Sequence, residues 1–514
     1  MKAEAILEKV AKRVSSVTGR ISGDDLRARC ARGGVTLSFG VGLERGLQLV
    51  RYIILTRLLA PDEFGLMAIV FSAMLIFETA FEVGVRYSVI QNKRGGEPEY
   101  LNVAWWFQVV RGLALFTVAY LAAPMVGGFY GKAELSALLR VALIVLIFKS
   151  LMSPGVYVLE KRIKFSKVVV LTQGSSLFGT FLTIGLVFFL RNVWALIMGF
   201  VGEAFLRCLL SFILCPFRPR LHIDRSCLGE IMRFARGMFG LSVLAMVAFE
   251  IDILVLGKVV SMALVGIYLM AKRLAQTPKE VYVRILGPIL LSAFSERQDD
   301  KRYLRGSVLK MTKATALFGM PLAGFCFVCA GAILSVVFGG QYAGAAVPFG
   351  LLSICTLVRI QGITLASVYL ALGRPHLHRG FVALRAIILV CLIYPAIIFW
   401  GPIGAASIVL FAEIVSLFFQ AFWMQKRTGL ELSEYLFAWL PGLGLAQIVV
   451  VPNLTLKFFG PISVMTDLVT GVLLCLVSCG LGVLLLKGGL RKAGPVRTKL
   501  GEVQRDFEVR AKYA

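Results

Sequence analysis

Acidic residues are scarce in this chain. Its 514 residues include 29 Asp and Glu against 55 Lys and Arg, and charged residues of both signs make up only 16%. A soluble chain of this length would divide into about three domains and carry roughly a quarter charged residues, so a soluble organisation is excluded. Histidine occurs three times, as His222, His376 and His378. The His-x-His pair is a weak metal signal, and all three are expected to be solvated loop residues. The ten cysteines fall in apolar runs or in segments next to basic loops, so no disulfide framework is implied. Cys326 and Cys329 have C-x-x-C spacing but no second pair or histidine nearby, and read as two small buried hydrophobes. Alternation of polar and apolar residues is missing too, as in FVALRAIILVCLIYPAIIFW over 381–400, which excludes the strands of a membrane barrel.

What the chain does have is apolar length. It is 58% hydrophobic with a mean hydropathy of +0.82, and about fourteen stretches come near the ~20 residues a helix needs to cross a bilayer. Backbone N–H and C=O groups find no water there, so these stretches are expected to be helices. The predicted fold is an all-α polytopic membrane protein of about fourteen transmembrane helices.

The net charge of +26 would suggest nucleic acid in a soluble protein. Here the cations gather in alternate loops instead: Lys93 and Arg94, then Lys161 to Lys167, Arg218 to Arg233, Arg297 to Arg305, Arg374 and Arg379, and Lys426 and Arg427. The intervening loops hold single cations such as Lys132 and Lys258, or none. This asymmetry predicts both termini on the cytoplasmic side and an even number of spans. No nucleic-acid partner is expected. Residues 2–30, with mixed charge, are expected to form a cytoplasmic extension and not a signal peptide.

The sequence also repeats itself with a period near 200 residues. RLLAPDEFGLM (57–67) corresponds to GKVVSMALVGIY (257–268), which pairs Gly65 with Gly266. VYVLEKRIKFSK (156–167) corresponds to VYLALGRPHLHR (368–379), and VWALIMGFVGE (193–203) to IGAASIVLFAE (403–413), which pairs Glu203 with Glu413. Six spans repeated in one orientation predict two parallel bundles about an axis along the membrane normal, with substrate bound between them. The expected divisions are an extension over 1–30, an N-terminal lobe over 31–215, a linker over 216–233, a C-terminal lobe over 234–425, two added helices over 426–487 and a cytoplasmic tail over 488–514.

Charged residues inside spans are costly and usually face a cavity. On the first span Glu44, Gln48 and Arg51 share a face, with Arg45 beside them. On the second, Glu78, Glu82 and Arg86 form a stripe. On the eighth, Arg273, Glu280 and Arg284 do so, next to Lys272 and Lys279. Arg111, Lys149, Arg359 and Arg385 are single cations in spans three, four, ten and eleven, and Glu250 and Asp252 are the acids of span seven. The plain alternative is self-neutralisation within one helix, as for Glu203 and Arg207 at i, i+4, or snorkelling to headgroups, as for Arg385, Lys310 and Lys313.

RLLAPDEFGLM, with VGIYLMAKRL (265–274), FGGQYAGAA (338–346) and LGRP (372–375), resembles the signature of bacterial polysaccharide-biosynthesis flippases of the Wzx type. These belong to the multidrug/oligosaccharidyl-lipid/polysaccharide exporter superfamily, beside lipid II flippases and MATE drug exporters. The resemblance covers about 33–425. It implies a MATE-like fold and a multi-pass carrier of the bacterial inner membrane. Its substrate would be an undecaprenyl-pyrophosphate-linked oligosaccharide, moved outward for lipopolysaccharide or exopolysaccharide assembly. Membrane lipids and a polysaccharide polymerase are the implied partners, with a monomeric chain, no cofactor and no metal. It also implies Arg45, Arg51, Arg273 and Arg284 as contacts to the pyrophosphate, supported by Arg86 and Arg359, since guanidinium forks grip phosphate oxygens. Glu44, Glu78, Glu250 and Asp252 are the expected sites for H⁺ or Na⁺ coupling. A lipid II flippase and a MATE-like exporter of cations are the alternatives, the latter disfavoured by the basic excess inside the spans. A glycosyltransferase or polymerase is disfavoured because the loops hold no acid cluster.

Overall fold

The computed structural model describes residues 42, 44–82, 85–92, 94–161, 165–220, 224–460 and 463–492. The expected extension over 1–30 and nearly all of the tail over 488–514 lie outside the described residues, as does the side chain of Glu82. Every regular element among the described residues is helical. In chain order they are α1 (44–58), α2 (Pro61–Glu82), α3 (Val85–Gln91), α4 (Pro98–Tyr130), α5 (Ala133–Ala142), α6 (Ile144–Leu151), α7 (Gly155–Lys161), α8 (Phe165–Leu190) and α9 (Val193–Leu214). The second half continues with α10 (Arg225–Val259), α11 (Met262–Glu296), α12 (Lys301–Val328), α13 (Ala330–Val337), α14 (Ala346–Ala371), α15 (Pro375–Thr428), α16 (Leu432–Phe437), α17 (Leu440–Phe459) and α18 (Val464–Lys492), with a 3₁₀ turn over Gly340–Ala345.

The helix starts follow local chemistry. Asn192, Asp224, Ser261 and Asp300 each accept a backbone N–H of the first turn that follows, satisfying donors that the helix itself leaves open. The Ser226 amide, bonded in this way, holds the Asp224 carboxyl below the usual carboxylate range. Pro61, Pro98 and Pro375 stand at helix starts, where a missing N–H costs nothing.

By length and composition eight helices among the described residues are able to cross a membrane, or nine if the pair Ala133–Leu151 and Gly155–Lys161, bent by 65°, is one span. One of the eight, Pro375–Lys426, has 52 residues, about twice what a bilayer requires. Gly401 breaks it with φ 54 and ψ −134, and the chain folds back on itself: Ser416 Oγ donates to the Phe381 carbonyl at 3.3 Å, and Arg385 reaches Glu413 at 3.1 Å. α11 is not among the eight, and it carries Lys272, Arg273, Lys279, Glu280 and Arg284 in mid-helix.

The largest apolar core joins both halves of the chain, with Leu55, Phe64 and Met67 packed in one cluster with Val265, Tyr268, Phe338 and Phe349. At its centre α2 crosses α11 backbone to backbone. A Cβ at Gly65 would strike the Met262 carbonyl oxygen, and a Cβ at Gly266 would strike the Pro61 carbonyl oxygen. The contact is reciprocal, so the repeat's two glycines meet at the axis between the halves, and small residues are what allow helices this close in lipid. Beside them the R-L-L-A-P-D-E-F-G and F-G-G-Q-Y segments come together: Arg57 Nη2 donates to the Val336 carbonyl at 2.9 Å, and Phe64 meets Tyr342 edge to face at 6.5 Å. The last two long helices dock on α12, with Gly442 against the Ala316 carbonyl and Gly471 against Phe325 and Cys329.

Replacing Gly65 or Gly266 by valine should push α2 and α11 apart at this end. In a Thr56→Cys/Gln341→Cys background, whose parent residues are in contact, short-reagent cross-linking should fall several-fold. Unchanged cross-linking would show that the crossing tolerates a side chain.

Candidate functional site

The polar interior is assembled where α1 meets α11. On α1, Arg45 Nη1 donates to Gln48 Oε1 at 2.7 Å and Gln48 Nε2 donates to Glu44 Oε1 at 3.2 Å. Two ion pairs then cross to α11: Arg45 to Glu280 at 2.5 Å and Arg284 to Glu44 at 2.8 Å. Gln173 of α8 adds a hydrogen bond to Glu44 at 2.9 Å. The two helices thus exchange an acid and a base in each direction.

Below this crossing lies a cavity of about 610 Å³ walled by α1, α10, α11, α14 and both arms of α15. Five cations line it, Arg45, Lys279, Arg284, Arg359 and Arg385, against two carboxylates, Glu280 and Glu413. Glu413 is 8% exposed and sits between Arg359 at 3.2 Å and Arg385 at 3.1 Å. The Phe249 ring forms part of the wall, with Lys279 Nζ at 4.8 Å and Arg359 Cζ at 5.4 Å from its centroid, a cation–π arrangement that strengthens away from water. One carboxylate cannot neutralise two guanidiniums, and the cavity as a whole carries more positive charge than its own acids cancel. Such a surplus is stable in a low-dielectric bundle only where water or an anion enters. A second cavity of about 720 Å³ lies between α11, α12 and α14, and its wall is apolar, including Val281, Phe318, Leu322 and Leu357.

The residues implied by resemblance are distributed unevenly. Arg45, Arg284 and Arg359 line the cationic cavity. Arg273 lines a small adjoining space of about 40 Å³ with Arg45, Gln48 and Tyr52. Arg51 turns to the first half, 4.0 Å from Glu203 and over the Tyr52 ring. Arg86 is exposed on α3 and pairs with Glu160 at 2.8 Å, away from the cavity. The acids proposed for ion coupling occupy three places. Glu44 belongs to the α1–α11 crossing, and Glu78 pairs with Lys149. Glu250 and Asp252 share the buried Lys272, which lies 2.8 Å from Asp252, while Ser72 donates to Glu250 and Tyr268 to Asp252.

The structure decides one open alternative and corrects one reading. Arg385 does not snorkel: it turns inward to Glu413, because its arm of α15 packs against the returning arm. His378 is not a solvated loop residue. α15 begins at Pro375, so His378 lies on the first helical turn and lines the cavity half-buried, while His376 is exposed. Lys279, noted beside the stripe of the eighth span, lines the cavity as well, and so do Gln420 and Ser416, which the sequence did not single out. The repeat gave the one available signal for this wall, since Glu203 holds Arg51 and Arg207 as Glu413 holds Arg359 and Arg385.

A family model described as "Polysaccharide biosynthesis protein" matches residues 54–347. The chain is 23% identical over 411 residues to the lipopolysaccharide biosynthesis protein WzxC of Escherichia coli (strain K12), covering 77% of this chain and 81% of that one. It is 22% identical over 309 residues to the succinoglycan biosynthesis transport protein ExoT of Rhizobium meliloti (strain 1021), covering 60% of this chain and 62% of that one. Among solved structures it is similar in fold to the lipid II flippase MurJ in an inward closed conformation, with a TM-score of 0.75 at 13% identity over 89% of this chain and 99% of that one.

Glu413→Ala should destabilise the protein by about 3 kcal/mol, the cost of stranding buried charge by removing one partner. Thermal unfolding in detergent checks this, and a midpoint equal to that of the unaltered protein would mean that water already solvates Arg359 and Arg385.

Proposed function

This chain belongs to the polysaccharide biosynthesis protein family, and on that footing we propose that it is a flippase for an undecaprenyl-pyrophosphate-linked oligosaccharide. It carries the headgroup from the cytoplasmic to the periplasmic leaflet of the inner membrane by alternating access, for assembly of a surface polysaccharide. The observation that carries this reading is the cavity of about 610 Å³ with five cations against two carboxylates, set inside a bundle of membrane-length helices. A bare pyrophosphate is prohibitively costly in hydrocarbon. A vestibule with surplus guanidinium and ammonium groups replaces its water with charge-assisted hydrogen bonds.

The apolar cavity shares α11 and α14 with the cationic one. An anionic head and a polyisoprenoid chain are therefore accommodated side by side, as a lipid-linked substrate requires and a soluble anion does not. A relative named for lipopolysaccharide biosynthesis and one named as a succinoglycan transport protein favour surface polysaccharide over peptidoglycan as the destination. No part of this reading assigns an enzymatic step.

Outward movement of an anion is favoured by a negative cytoplasm, by about 2.3 kcal/mol per charge per 100 mV. Alternating access of the head thus proceeds downhill without a counter-ion. Glu250 and Asp252 are the acids best placed for H⁺ or Na⁺ coupling, and an entering cation competes there with the Lys272 ammonium.

In a strain lacking the chromosomal copy, Arg284→Ala and Arg359→Ala should each abolish surface polysaccharide while the protein still reaches the membrane. Arg86→Ala, outside the cavity, should retain it. Immunostaining of the glycan against membrane-fraction blots decides the matter, and wild-type glycan from either cavity variant would remove that arginine from the path.

A further inference from the structure

The wall of the cationic cavity beyond Glu413 differs from the rest. Ser416 and Gln420 follow Glu413 by three and seven residues on the returning arm of α15, so the three share one helix face. Gln420 is 6% exposed, and its Nε2 donates to Ser416 Oγ at 3.2 Å, which leaves Oε1 buried with no partner. Exchanging the amide's nitrogen and oxygen changes nothing essential, since one amide group is left over either way. His378 Nδ1, in the same wall, is also buried without a partner. Gly362 stands opposite: a Cβ there would lie 3.6 Å from the Gln420 amide nitrogen, in ordinary contact with it.

The repeat shows that this polarity is not required by the fold. Glu413 corresponds to Glu203, and the same steps along α9 reach Leu206 and Leu210. The first half fills these positions with leucine, while the second half fills them with a hydroxyl and an amide and leaves the amide half satisfied. Buried polar groups are nearly always paired, and an amide left unpaired on a cavity wall is a place where a ligand supplies the partner. The ligand chemistry that fits is a polyol, because a sugar hydroxyl donates and accepts as the amide and imidazole require. Arg359 and Arg385, held by Glu413 on the same wall, place a phosphate-binding charge beside that polyol site.

Resting on the flippase reading, we propose that Gln420, with Ser416 and His378, forms the glycan-reading subsite of the cavity. It hydrogen-bonds the sugar directly attached to the pyrophosphate, while the arginines hold the phosphates whatever sugar follows. Affinity for the common head and discrimination among glycans are then carried by separate residues. A site built to bond a hydroxyl discriminates by leaving its own polar groups unpaired when the wrong sugar enters.

The test uses the full-length protein in detergent and four probes: undecaprenyl pyrophosphate, and the same lipid bearing one glucose, galactose or N-acetylglucosamine. Binding is measured by native mass spectrometry. The unaltered protein should hold at least one glycosylated lipid about tenfold more tightly than the bare lipid. Gln420→Leu should erase that preference and leave affinity for the bare lipid unchanged, and Ser416→Ala, a smaller change, should reduce it. The Gln420 main-chain carbonyl, which accepts from Tyr369 at 2.7 Å, is untouched by either substitution. A preference that survives both substitutions overturns the proposal, as does an equal loss for bare and glycosylated lipids, or no preference in the unaltered protein. If the unaltered protein binds none of the four, the flippase reading itself fails.

Discussion

A guanidinium inside a lipid-embedded bundle persists only if it faces a carboxylate, water or an incoming anion. The arrangement of the interior follows from that constraint. Glu44 and Glu280 hold Arg284 and Arg45 across the meeting of α1 and α11, and Glu413 holds Arg359 and Arg385. Each acid fixes the direction of a basic side chain, so the cations are aimed at one space before any substrate arrives. Ordering costs that binding would otherwise incur are met during folding, which is the general advantage of preorganised sites. The acids lining the cavity are too few to neutralise its cations, and the proposed role in holding a phosphate rests on that shortfall.

The two halves use one scheme with different results. Glu203 gathers Arg51 and Arg207, the latter at 2.7 Å, where Ser175 also accepts from Arg207 Nε. That side closes on itself: Lys149 is taken by Glu78, and the space left beside Glu203 is about 30 Å³. In the second half the equivalent acid borders a cavity some twenty times larger. The same charge pattern thus occurs twice, bordering a large cavity in the second half and almost none in the first.

Much of this was legible in the sequence, for definite reasons. Helical, membrane-spanning character follows from apolar length alone, because unpaired backbone groups have no alternative in lipid. The pairing of Gly65 with Gly266 was visible as a repeat. That the two glycines press against each other's helix is a fact about relative position, which no periodicity encodes. On the first span Glu44 and Gln48 do meet, but the cation joined to them is Arg45 and not Arg51, since spacing does not say how far a helix is rotated about its axis. For that reason Arg45 and Arg51, six residues apart, point to different halves. For Arg385 the sequence left cavity and headgroup open, and His378 was read as solvated, because a position near the end of an apolar run suggests exposure. Here the tight fold-back at Gly401 buries that end against its own return. Gln420 and Ser416 gave no signal at all, since a lone amide in a run of phenylalanines carries no pattern.

The reciprocal contact of Gly65 and Gly266 fixes one point on two long rods. From Gly266 to the end of α11 at Glu296, a helix extends about 45 Å at 1.5 Å per residue, so a tilt of about 10° about that point swings the far end by about 8 Å. Phe64, Met67, Val265 and Tyr268 pack around that point, whereas farther along α11 the ties are ionic and run to α1, through Arg45–Glu280 and Glu44–Arg284. Close backbone approach and ionic ties therefore sit at different levels of α11, and any angular change about the glycines would reach the cationic cavity through a long lever.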